Sequence, residues 1–109
     1  MLALVVKAIR QQLEGANAPA DIRQIISVGP HDGGGHCLCE NCRALDAPDH
    51  LTTPFSGPPM ASRTDRYVWF INRILAELES DYPNLRLGFY AYADYELPPV
   101  RVKPSGRLA

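Results

Sequence analysis

The sequence contains no apolar run approaching the roughly 18–20 residues that a membrane-spanning helix requires, so no bilayer-crossing helix is expected. It also lacks a basic run or stripe: 11 Lys and Arg stand against 12 Asp and Glu, a net charge of −1. That excludes the electrostatic footprint of a nucleic-acid binder and removes any charge-based reason to sit on an acidic membrane. Cysteine is scarce, and all three residues fall between Cys37 and Cys42. An odd count confined to one stretch is no disulfide framework for a domain; it is a local site or nothing. No internal repeat is present, and 109 residues allow one domain at most with a modest core.

What is there begins with an apolar stripe. Leu2, Val5, Val6, Ile9 and Leu13 recur at helical spacing opposite Lys7, Arg10, Gln11 and Glu14, predicting an amphipathic helix over about 2–14 with Gly15 as its stop. Lys7 and Arg10 follow the apolar residues rather than precede them, so this start reads as a helix and not as a signal peptide. Residues 22–28, Ile-Arg-Gln-Ile-Ile-Ser-Val, are rich in β-branched side chains and run into Gly29-Pro30, which predicts a buried strand. From 29 to 63 no period is sustained, and a loop of that length in a compact domain is usually functional or mobile. A second helix is expected over about 64–81. Thr64 serves as cap and Asp65 lies in the first turn, with an apolar face of Tyr67, Phe70, Ile71, Ile74, Leu75 and Leu78 widened by Val68 and Trp69. Residues 85–93 read as a second strand, and the proline-bearing tail from 97 to 109 as loop.

The fold class is therefore α/β, an α-β-α-β segment with parallel strands, because two strands joined by one long helix form a right-handed βαβ unit. In such a unit both connections leave the same, C-terminal edge, where α/β active sites assemble. Two strands cannot close a barrel, and parallel strands need cover on both faces, so the sequence reads as a segment of a larger fold. Exposed helix surface and unpaired strand edges then call for the rest of that fold or for self-association.

Cys37-Leu-Cys39-Glu-Asn-Cys42 is the most specific local pattern. Thiolates at these spacings can converge on one soft metal ion, and zinc prefers four such ligands. His31, His36, Asp46 or His50 are the candidates for the fourth place. A structural zinc would pin the loop, since binding energy can replace core burial. Packed thiols, a disulfide in an oxidising compartment, or a redox pair at Cys39 and Cys42 are the alternatives. Gly33-Gly34-Gly35 is not a phosphate loop, because no Lys-Ser or Lys-Thr pair follows and no helix opens directly after it. Asp32 leaves the first strand among these small residues, where a carboxylate can act as acid, base or nucleophile, or simply cap the turn. Asp94 and Glu96 leave the second strand. Arg66, in the first turn of the second helix, either pairs with Asp32 or is solvated, and Asn72 is expected to bond a neighbouring loop backbone.

The run from Gly29 to Asp46, GPHDGGGHCLCENCRALD, resembles the signature of a bacterial family designated domain of unknown function 4838. A second block fits as well: Asp65-Arg66-Tyr67, Phe70-Ile71-Asn72, Tyr82-Pro83, Ala91-Tyr92 and Pro98-Pro99. The resemblance implies a glycoside-hydrolase-like (β/α)8 TIM barrel, similar to α-glucuronidases, of which this chain is a fragment. It also implies glycan processing, carbohydrate as partner, and a periplasmic or extracellular location. His31 stands where that family commonly has Asn. On this basis Asp32 is the candidate catalytic carboxylate, and His31, Asp94, Tyr92 and Tyr95 are candidate sugar-binding residues. Glycoside hydrolysis normally uses two carboxylates, about 5 Å apart for retention and wider for inversion. The competing expectations are a carbohydrate-binding or structural module without turnover, and a small metal or redox protein built on the cysteines.

Overall fold

The computed structural model describes residues 2–29, 37–53, 58–91 and 95–109. They fold as a mixed α/β chain of seven elements: α1 (Leu2–Gly15), β1 (Ile25–Ser27), α2 (Glu40–Arg43), β2 (Ala47–Thr52), β3 (Met60–Ser62), α3 (Thr64–Leu78) and β4 (Arg86–Gly88). No described helix is long and apolar enough to cross a membrane. The chain divides into two compact units. The first comprises residues 1–28, 70–88 and 105–109; the second comprises 29–69 and 89–104.

The first unit has an apolar core. α1 buries Val6, Ile9 and Leu13, one stripe of an amphipathic helix. It ends at Gly15, as expected, and Asn17 closes the turn beyond. Asn17 adopts φ 51°, and Ala18 N–H reaches the Leu13 carbonyl at 2.9 Å while Asn17 N–H reaches that of Glu14 at 3.0 Å. This pair of bonds is a Schellman closure, and asparagine tolerates its left-handed residue better than most side chains. Ile71, Ile74, Leu75 and Leu78 of α3 are buried, with Ile26, Leu85 and Leu87 from β1, β4 and the turn between.

β1 and β4 are parallel, in the register Ile25↔Arg86, Ile26↔Leu87 and Ser27↔Gly88. Both strands are shorter than the sequence suggests. Ile22 is drawn into a turn, its N–H on the Pro19 carbonyl at 3.1 Å, and among the described residues the pairing of β1 with β4 ends where Val28 N–H meets the Gly88 carbonyl at 2.9 Å. The tail is not free loop. Leu87 donates to the Arg107 carbonyl at 3.0 Å and accepts from Ala109 at 2.7 Å, an isolated parallel bridge Leu87↔Leu108. β4 thus bonds to β1 through Arg86 and Gly88, and to the tail through Leu87. Asn72 Oδ1 accepts the Ser105 N–H at 2.9 Å, which is the loop-backbone bond expected of it.

α3 stops at Leu78 rather than about 81, and Tyr82 N–H closes on the Leu78 carbonyl at 2.8 Å. Arginines reach further carbonyls at and beyond this end: Arg10 donates to Glu77 O and pairs with Asp81, and Arg107 donates to Leu75 O and Pro83 O. Cationic side chains suit a helix C-terminus, where the dipole is negative.

The second unit is built differently. Residues 29–63 hold more than loop: α2 is a single turn, and β2 and β3 form an antiparallel pair with an irregularity between Ala47 and Leu51. The pattern Ala-Pro-Asp-His-Leu-Thr does not alternate and contains Pro48, which hides an edge strand from sequence reading. Every buried polar or charged residue among the described ones lies in this unit: Asp46, Thr52, Ser62, Thr64, Asp65 and Arg66. Among the described residues, apolar burial here is limited to Ala47, Val68 and Tyr95. Trp69, expected on the apolar face of its helix, is exposed.

Candidate metal centre

The three cysteines converge. Cys39 occupies the N-cap of α2 in an extended conformation, φ −65° and ψ 160°, and Cys42 lies three residues on, inside the helical turn. One helical turn brings positions three apart onto the same side. Cys37 reaches back over the cap, and the three Sγ atoms lie within 4.8 Å of one another. All three are free thiols; Cys37 and Cys39 are exposed and Cys42 is half-buried. Three sulfur donors this close can bind a metal ion.

The thiols share their protons unequally. No cap hydrogen bond from α2 closes on the Cys39 side chain. Even so, the nearby Cys42 backbone N–H, followed by the Cys37 and Cys42 thiols, favours its thiolate and brings its pKa down to about 7. Cys42 moves the other way, up to about 11, because its own thiol donates to Cys37 and Cys39 and their charge opposes a second ionisation. A thiolate favoured at Cys39 is a ready first ligand for a cation.

Of the candidates for a fourth ligand, Asp46 has both oxygens engaged. Arg66 Nε donates to Oδ1 at 2.9 Å and Nη2 to Oδ2 at 2.7 Å. His50 lies on β2 and is not part of the sulfur cluster; its Nε2 is buried with no hydrogen-bond partner among the described residues. His31 and His36 lie outside the described residues.

Arg66 is thus buried rather than solvated, and its described bonds go to Asp46 and the Cys37 backbone, while Asp32 lies outside the described residues. Burial works against its charge, but the Asp46 hydrogen bonds and the charges of Asp46 and Cys42 outweigh it and hold the guanidinium pKa above its ordinary value. A third bond runs from Nη1 to the Cys37 carbonyl at 2.8 Å. Sequence reading missed this pairing, since nothing in the spacing of Asp46 and Arg66 marks them as partners. Their only signal is that both stand in the two blocks that carry the family resemblance.

The sugar-binding candidates are less visible. Asp32, Asp94 and Tyr92 lie outside the described residues, as does His31. Tyr95 is 4 % exposed and packs edge-on to Tyr67 with ring centroids 5.1 Å apart, and against Phe89 at 6.3 Å. Glu96 accepts from the Thr52 hydroxyl at 3.2 Å. The segments that follow β1 and β4 begin side by side: a Cβ placed on Gly29 would lie 3.5 Å from that of Phe89.

No curated protein and no solved structure matches this chain. A family match does exist, and it covers residues 1–109: the chain belongs to the family described as Domain of unknown function (DUF4838).

Proposed function

We propose that this chain is a segment of a glycan-processing, (β/α)8-barrel protein of glycoside-hydrolase type, in which Cys37, Cys39 and Cys42 hold a structural zinc ion. The convergence of three sulfurs within 4.8 Å on a one-turn helix carries the metal part of this reading. α2 buries no residue, so packing alone gives this turn little to stand on, and a metal would supply the missing stabilisation. The fourth ligand is His31 or His36, since Asp46 is committed to Arg66 and His50 is not in the cluster.

Support for the barrel is topological. β1 and β4 are parallel and β4 bonds on its other side to Leu108, the strand order of a singly wound barrel wall. The connections after β1 and β4 then leave one edge, and that edge is where a barrel enzyme keeps its chemistry. Asp32 is the carboxylate assigned to acid–base or nucleophilic work, with His31, Asp94, Tyr92 and Tyr95 around the sugar.

Two measurements test this. Metal analysis of the purified full-length protein is expected to find one zinc per chain. On a glycan panel, Asp32→Asn is expected to abolish turnover while leaving zinc content unchanged. Unaltered turnover removes Asp32 from the mechanism; binding without turnover by the wild type makes the protein a carbohydrate-binding module. The lowered pKa of Cys39 favours one second reading, thiol–disulfide exchange. A reversible disulfide at a cytosolic potential, with no metal bound, would support it.

A further inference from the structure

We infer that Asp65 and Arg66, adjacent residues at the head of α3, are positioning residues that clasp the cysteine turn from both ends and hold its sulfurs in ligating geometry. The inference rests on the metal reading above and adds the groups that shape the site.

The turn needs such a device. α2 is four residues long and has no buried side chain, so no apolar packing orients the cysteines. Polar groups take that place. The Arg66 fork holds the Cys37 carbonyl before the turn at 2.8 Å, and the Asp46 carboxylate after it at 2.9 and 2.7 Å. Both side chains of this ion pair are only 10 % exposed. A planar guanidinium with three fixed donors in use sets the separation of the two ends, much as a brace does.

A second arginine closes the same turn. Arg101 Nη1 donates to the carbonyls of Ala44 and Asp46, directly after α2. Its own backbone is fixed by Asp65, which is fully buried and accepts the N–H groups of Val100, Arg101 and Val102 at 3.1, 2.7 and 2.8 Å. Two neighbouring helix residues thus fix two different chain segments on one short turn. The charge is also apt. A divalent ion on three thiolates leaves a net negative centre, and a buried guanidinium bonded to a ligand's own carbonyl offsets it. Outer groups of this kind typically tune metal affinity by roughly 10- to 100-fold.

The test uses the reduced full chain with Co²⁺ as the probe, read by its thiolate-to-metal charge-transfer absorption. Wild type is expected to bind one equivalent. Arg66→Met is expected to weaken binding by about tenfold or more while circular dichroism stays unchanged. Arg66→Lys is expected not to rescue, because one ammonium cannot reproduce the three-way fork. Wild-type-like affinity in Arg66→Met, or full rescue by lysine, overturns the clasp and leaves the metal site standing. If wild type binds no Co²⁺, the metal reading fails, and the clasp is judged by disulfide formation among the three thiols in glutathione buffer. Their effective concentration should then fall about fivefold or more in Arg66→Met, and an unchanged value overturns the clasp. Should Arg66→Met not fold, Arg101→Met removes only the exposed half of the brace. A loss of about threefold in affinity or effective concentration supports the inference, and no loss overturns it.

Discussion

Cys39 and Cys42 are chemically alike and three residues apart, yet they titrate at opposite ends of the thiol range, at about 7 and about 11. Cys37 contributes to both shifts, lowering one and raising the other, so its removal should draw the two together. In metal-free Cys37→Ala, alkylation of Cys39 should shift to higher pH and that of Cys42 to lower pH; site-resolved mass spectrometry across a pH series reads both. Unmoved profiles would mean that Cys37 takes no part. Because ligand thiols must lose protons to bind, metal affinity should rise with pH through the Cys39 value of about 7 and on toward the Cys42 value of about 11, and competition with a chelator of known pH dependence measures that slope. Asp65 makes a separate case. Its carboxylate accepts three backbone N–H groups in a fully buried position. Asp65→Ala leaves those donors unmatched and should cost about 3 kcal/mol or more, seen as a lower urea midpoint.

At the scale of elements, periodicity tells much and partners tell the rest. α1 and α3 were legible because their apolar residues repeat at helical spacing, and burial of Val6, Ile9 and Leu13 follows that stripe. α1 ends at Gly15, within one residue of the expected bound, and Asn17 in the turn beyond takes the left-handed conformation. Asn17→Gly should therefore be neutral or mildly stabilising, while Asn17→Val should cost about 1–2 kcal/mol by thermal unfolding. Ile74 is 0 % exposed in α3, and Ile74→Ala should cost about 2–5 kcal/mol. The strands were placed but drawn too long, because a run of β-branched residues reports propensity and not where its partner stops. The β2–β3 pair was not legible at all. Its residues do not alternate, and it exists only through antiparallel pairing of segments such as Ala47 and Ser62.

For the whole molecule, the contrast between the two units matters most. One is held by packed aliphatic side chains, the other by an ion pair and buried hydrogen bonds. Networks of that kind are stable only when every member is satisfied. Metal removal should accordingly speed hydrogen exchange at Cys42, Ala47 and Ser62 while leaving Ile74, Leu85 and Leu87 protected. Uniform protection with and without metal would show that the ion contributes nothing to the second unit's stability.

By itself the sequence determined the two long helices, the parallel sense of the two strands and the spacing of the cysteines. These are set by periodicity, chain connectivity and contacts within one turn, all of which are local. Only the tertiary structure decided that Arg66 bonds the Asp46 carboxylate and the Cys37 carbonyl, and that Asp65 gathers the amides of 100–102. Those partners lie 20 to 37 residues apart, and no spacing rule joins them. What joins them is the cost of burying a charge or an amide without a partner, and that cost arises only once the chain has folded.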